Sequence, residues 1–231
     1  MRECQEILSD LLVTFRDDFA KYKAKTPSLL LNEVLQSICH QSGGKFKYSS
    51  VDRALAAKPI RDAVGLLALA GIARKVYHTD ARGLPLGAQV NPKRFKVMLM
   101  DVGLHQRILG LDISKMMTAS SLDVVNKGSI AEVFVGQELV AVQSNREPAN
   151  LYYWHREARS SNAEVDYVCA HGDVLVPIEV KAGGSGSMQS IRLFMRERNL
   201  GRGIRTSLEN FGALRDLDII PLYAVGSHFS G

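Results

Sequence analysis

Two neighbouring apolar runs restrict this chain more than any other feature: Ala163-Glu164-Val165-Asp166-Tyr167-Val168 and, after a turn, Pro177-Ile178-Glu179-Val180-Lys181. Side chains on a strand alternate faces with a period of two. Glu179 and Lys181 therefore share one face, with Ile178, Val180 and Ala182 on the other. Asp166 sits on a similar run, flanked by Val165 and Tyr167 on its opposite face. His171-Gly172-Asp173 between the runs is a hairpin signal. Pairing of the two strands brings Asp166 up to Glu179. Two carboxylates beside one ammonium group suit a hard, oxygen-seeking cation such as Mg²⁺ or Mn²⁺.

Apolar spacing predicts the surrounding elements. Ile7, Leu8, Leu11, Leu12, Phe15 and Phe19 recur at helical spacing over 6–22. A second helix is expected over 28–40, ended by Gly43-Gly44, then a short helix over 51–57 and a longer one from Pro59 to Ala70 with Gly71 as its cap. Strands are expected over 72–78 and 95–100. Three helices followed by a two-stranded wing is the order of a winged helix, expected over 29–100, a motif that sets a helix in the DNA major groove. The candidate recognition helix offers only Arg61 and Asp62 among charged residues over 60–70, so a packing or partner-docking role competes with base reading. Beyond it come a helix over 101–109, linker pieces over 111–123 and a well-defined helix over 127–142. Strands follow over 151–155, 164–171 and 174–182, then a Gly-rich loop over 183–187 and a helix over 188–198 carrying Ile191, Phe194 and Met195. Closing strands are expected over 204–208 and 219–225. The order is that of an α/β (α+β) chain with mixed strand directions.

Composition narrows the class. The 231 residues are 46% hydrophobic, enough for one large or two small cores, and 29 Lys+Arg against 24 Asp+Glu leave a formal charge of +5. That balance permits nucleic-acid binding without requiring it. Cys4, Cys39 and Cys169 lie far apart with no C-x-x-C pair, which argues against a disulfide framework or a zinc site and fits a cytoplasmic, reducing setting. No run reaches the roughly 18 apolar residues of a membrane span, and no signal peptide is evident. No G-x-x-x-x-G-K-[ST] occurs, so no nucleotide is expected to bind this chain through a P-loop.

A metal-dependent phosphodiesterase needs carboxylates to hold the cation and a protein cation to steady the charge that develops on phosphate. Asp166 and Glu179 are the expected metal ligands, with the backbone carbonyl of Val180 as a further oxygen and Lys181 as the electrostatic partner. Glu132, on the helix before, would complete the cluster through a ligated water. Lys45, Lys47, Arg61, Arg156 and Gln189 are further candidates for contact with nucleic acid. Tyr152-Tyr153-Trp154-His155 reads as an aromatic strand whose inward members belong to a core, with stacking of the alternate ones on bases, and contact of His155 with phosphate, as the competing reading. An E-x-K pair alone is commonly solvated charge; the series helix-Glu, strand-Asp, turn and apolar-Glu-apolar-Lys is more specific.

These residues also carry a resemblance. Lys45-Phe46-Lys47-Tyr48, Gly83 to Ala88, Phe95 to Leu104, Gly128 to Leu139 and Leu151 to Trp154 resemble the C-terminal region of prokaryotic AAA-type P-loop ATPases, domain-of-unknown-function family 4143, over nearly the whole chain. The resemblance implies a winged-helix segment and a nuclease-like tail of the PD-(D/E)XK, restriction-endonuclease-like type, a mixed sheet flanked by helices. By it Glu132, Asp166, Glu179 and Lys181 fall on the acidic helix position, the strand acid and the E-x-K. Val165 stands where that superfamily carries Pro. The implied division is 1–28 as a helical remnant of an ATPase junction, 29–110 as a winged-helix-like domain and 111–231 as the nuclease-like domain.

Two functions are therefore expected to compete: Mg-dependent phosphodiester hydrolysis on DNA, or a non-catalytic module that docks to DNA, to an ATPase domain or to a partner subunit. A homodimer through the apolar N-terminal helices is compatible with either, and the expected location is a prokaryotic cytoplasm.

Overall fold

A computed structural model describes residues 2–22, 26–111, 127–156, 162–183 and 186–230. The chain is a mixed α+β structure with two mixed sheets. It forms two compact units, one of Met1–Arg74 with Val97–Ile130, the other of Lys75–Lys96 with Ala131–Gly231.

The first unit is mainly helical. α1 (Arg2–Phe19) buries Leu12 and Phe19, and α2 (Ser28–Gln41) buries Leu31, Val34, Leu35 and Ile38. α3 (Ala57–Leu69) turns Ile60, Ala63, Val64 and Leu67 inward, a 3.6-period stripe. Pro59 is its third residue, within the turn whose N–H groups have no helical partner. The helix expected over 51–57 is absent. A 3-10 turn at Tyr48–Ser50 and an Asp52 carboxylate that accepts from the Ala54 N–H at 2.7 Å take its place. That local bond competes with the helical ladder. α3 ends as expected at Gly71, whose φ of +76° lets Ile72 N–H reach Leu67 O at 3.0 Å and Gly71 N–H reach Ala68 O at 3.1 Å. α4 (Val102–Ile108) starts at Asp101, whose side chain accepts from the Leu104 N–H. The linker expected over 111–123 lies, but for Leu111, outside the described residues.

β1 (Ala73–Thr79) and β2 (Val90–Leu99) carry the chain between the units. They are the strands expected to form a two-stranded wing. Their sheet is larger: the order is β2-β1-β3-β4, with β1 parallel to β3 (Leu151–His155) through the Val76–Leu151 pairing, and β3 antiparallel to β4 (Glu164–Val165). The free edge of the expected hairpin is occupied by β3, and the greater part of the strand pair, within Lys75–Lys96, falls in the second unit.

In the second unit α5 (Lys127–Ala141) has apolar side chains on several sides, with Ala131, Val133, Val135 and Leu139 buried. The strand expected over 164–171 is broken at Asp166 into β4 and β5 (Tyr167–His171). β5 pairs antiparallel with β6 (Val174–Val180) from Tyr167–Ile178 to His171–Val174, and Gly172, at φ +57°, makes the turn. The second sheet runs β5-β6-β7-β9-β8, with β7 (Gly203–Ser207) parallel to β6 and to β9 (Leu217–Pro221), and β8 (Gly212–Leu214) antiparallel to β9. α6 (Gln189–Glu197) buries the expected Ile191, Phe194 and Met195, and Phe194 packs on Trp154 at a ring separation of 5.1 Å. The last expected strand stops at Pro221, which has no N–H for a further ladder bond; a 3-10 turn and α7 (Val225–Phe229) follow. The strand β8, exposed throughout, has no counterpart in the expectations.

Candidate functional site

Asp166 sits at the point where the chain passes from the first sheet to the second. The antiparallel register sets it one step beyond the Tyr167–Ile178 pair, level with the Glu179 end of β6. The Val180 N–H donates to Asp166 Oδ2 at 2.8 Å. Glu179 and Lys181 share a face as alternation requires, and Lys181 Nζ donates to Glu179 Oε1 at 2.6 Å. Glu132 reaches the same region from α5, and the Tyr167 hydroxyl donates to its backbone carbonyl at 2.8 Å. Burial, with Glu132 and Asp166 nearby, raises the Tyr167 pKa well above its usual value, so the phenol stays a donor.

The group missed from the sequence is Lys96. Its side chain is 3% exposed, and its ammonium lies 2.8 Å from Glu132 Oε1, 2.5 Å from Glu164 Oε1 and 3.9 Å from Asp166 Oδ1. The same ammonium stands 5.1 Å from the centre of the Tyr153 ring. Burial by itself would lower the Lys96 pKa, but the carboxylates of Glu132, Glu164 and Asp166 outweigh it and the net shift is upward. The sequence held a signal. Phe95 to Met100 is apolar but for Lys96, and a lysine inside such a strand, which the fold buries from 95 to 99, must find a counter-charge. Glu164, two residues before Asp166, was the other half of that signal.

The cluster is over-supplied with acid. Among the described residues four carboxylates (Glu132, Glu164, Asp166, Glu179) meet two ammonium groups (Lys96, Lys181), a formal charge of −2 when all are ionised. Arg205 and Glu209, which pair at 2.7 Å on β7 and just after it, leave that total unchanged. Burial raises the Glu132 carboxyl to about 7 and, with Asp166 beside it, the Glu179 carboxyl to about 7. Burial also raises Asp166, against the pull of Lys96 and the Val180 N–H. Glu179 Oε2 is buried and, among the described residues, accepts no hydrogen bond, on a residue only 6% exposed. Among the described residues no three His, Cys, Asp or Glu side chains form a ready-made metal cluster. Glu132 is engaged by Lys96, and Val180 contributes its N–H.

The other expected contacts are divided between the two units. Lys45, Lys47 and Arg61 belong to the first unit, where Arg61 is exposed and pairs with Asp62 at 3.6 Å. Arg156 and Gln189 belong to the second; Arg156 pairs with Glu197 at 3.0 Å, and Gln189 is exposed at the start of α6. The three cysteines are free. Among the described residues no helix is long and apolar enough to cross a membrane.

Two family models match. Residues 127–225 match a domain of unknown function (DUF4143), and residues 3–115 match a different one (DUF8612). The resemblance read over nearly the whole sequence is thus matched for DUF4143 over residues 127–225, and residues 3–115 match a different model. No match was found to a curated protein or to a solved structure.

Proposed function

We propose that the second half of this chain is a divalent-cation-dependent phosphodiesterase acting on DNA, of the PD-(D/E)XK type. The observation that carries the proposal is the Glu179 carboxylate. It is buried beside Asp166 with one oxygen hydrogen-bonded to Lys181 and the other, among the described residues, without a partner, inside a cluster that sets four carboxylates against two ammonium groups. Such an arrangement is costly unless protons or a cation fill it. One Mg²⁺ or Mn²⁺ meets both the charge and the orphaned oxygen. Asp166 and Glu179 would hold it, with the Val180 carbonyl as a further oxygen. At 3.9 Å the Lys96 ammonium attracts Asp166 Oδ1 without hydrogen-bonding it, which leaves that oxygen for a cation. When bound, such a cation polarises a phosphate oxygen and lowers the pKa of water. The chain's own part is to place Lys181, one-quarter exposed, where a phosphate can meet its ammonium. The formal charge of +5 favours approach of a polyanion.

Incubation with labelled single-stranded, double-stranded and branched DNA, with and without Mn²⁺, tests the reading. Cleavage should require the metal and fall at least 100-fold in Asp166→Ala, with unchanged circular dichroism; equal cleavage by both proteins would exclude the assignment.

A second reading is a non-catalytic docking module for DNA, an ATPase domain or a partner. It is favoured by the first unit, where Leu29 is 71% and Leu69 86% exposed and where α3 offers solvent few charges. Calorimetric titration that shows no uptake of Mn²⁺ would select it.

A further inference from the structure

Lys96 does not behave like an incidental counter-ion. It is a full ammonium group at the centre of the acid cluster, delivered from β2, and it takes up Glu132 and Glu164 with short contacts while standing 3.9 Å from Asp166 and acting on Glu179 through its charge. The six charged groups divide into two sets. Lys96, Glu132 and Glu164 form one, closed and hydrogen-bonded. Asp166, Glu179 and Lys181 form the other, with the Glu179 Oε2 acceptor still open. Two-metal phosphodiester hydrolysis needs carboxylates enough to bridge both ions. Here the carboxylates that a second ion would require are already held by an ammonium group.

We infer that Lys96 is a built-in cation that takes the place of a second metal ion, tethers Glu132 and Glu164 away from the open side, and limits the cluster to one divalent cation at Asp166 and Glu179. The inference rests on the metal-dependent reading above. Lys96 is then a positioning residue: it acts through the two glutamates and touches neither substrate nor reacting atoms. Glu132 is moved by this inference from the metal's coordination shell to the lysine's.

Mn²⁺ uptake by the full chain, counted by calorimetry and by electron paramagnetic resonance, tests it without any activity assay. Wild type should take up one equivalent. Lys96→Met releases two carboxylates and should take up two, with the thermal midpoint rising on addition of Mn²⁺ more than it does in wild type. Glu132→Gln keeps an oxygen for the Lys96 ammonium and should still bind one equivalent, with affinity changed less than tenfold; it also serves where Lys96→Met does not fold. Glu179→Gln should bind none. One equivalent in both wild type and Lys96→Met would overturn the role of Lys96 and leave the hydrolase reading standing. Loss of uptake in Glu132→Gln as complete as in Glu179→Gln would likewise overturn it, by making Glu132 a ligand. No uptake by wild type would sink the hydrolase reading itself, and this inference with it.

Discussion

Lys181 depends on a residue that lacks a side chain. A methyl group built on Gly186 would lie 2.9 Å from both Cδ and Cε of Lys181, closer than carbon atoms approach, and Gly186 itself has a φ of +148°. The glycine therefore lets the backbone lie against the stem of Lys181, whose ammonium group is on the open side of the cluster. Its backbone region is close to glycine-only and costs other residues roughly 1–3 kcal/mol. Gly186→Ala should displace the lysine head from Glu179 Oε1 and lower DNA cleavage at least tenfold. Mn²⁺ uptake should remain at the wild-type stoichiometry, because neither Asp166 nor Glu179 moves. Cleavage rates and calorimetric titration of the same preparation measure both; unchanged cleavage would show that the lysine needs no such support.

At the scale of elements, the α3 terminus provides a test free of side-chain contacts. An added Cβ at Gly71 meets nothing within 4 Å, so the cost of Gly71→Ala comes from its φ of +76° alone, about 1 kcal/mol. Gly65, mid-helix and equally uncrowded, should respond in the opposite sense, and Gly65→Ala should stabilise by roughly 0.5–1 kcal/mol. Urea unfolding should resolve the two signs, and a loss of stability in both would refute the account of the cap. The same elements show what the sequence made legible. Local signals sufficed for α2, for the α3 cap, for the β5–β6 turn at Gly172 and for the buried stripe of α6. They also sufficed for the approach of Asp166 to Glu179, because register fixes faces once a turn is known. What escaped were contacts between distant segments. Nothing near Val76 in sequence reveals that β1 lies against β3. Lys96, alone among apolar neighbours, shows that it needs a counter-charge but not where, since its partners are 36 positions or more away. The break at Asp166 was hidden for the same reason: two sheets compete for one strand, and only the assembled fold decides where the strand divides.

For the whole molecule, the buried acids make stability depend on pH in a definite direction. Glu132 and Glu179 both titrate near 7 in the fold, against 4.5 when freely solvated. The folded chain thus binds more protons than the unfolded one between those values, and stability falls as pH rises through that window. The contribution of the two groups is fully present below about 4.5 and lost once the pH has passed about 7. Each shift corresponds to on the order of 3 kcal/mol, and because the carboxylates share one field the total is less than twice that. In metal-free buffer the thermal midpoint should therefore fall between pH 5 and pH 8. Glu179→Gln removes one of the two titrations and should give a flatter profile that lies above wild type at pH 8. A divalent cation offsets the same charge by mass action: Mn²⁺ at 100 times its Kd should restore about 2.7 kcal/mol to wild type at pH 8 and nothing to Glu179→Gln. A wild-type midpoint independent of pH over this range would mean that the cluster is already neutral without protons or metal, and the excess of acid on which the hydrolase reading stands would be gone.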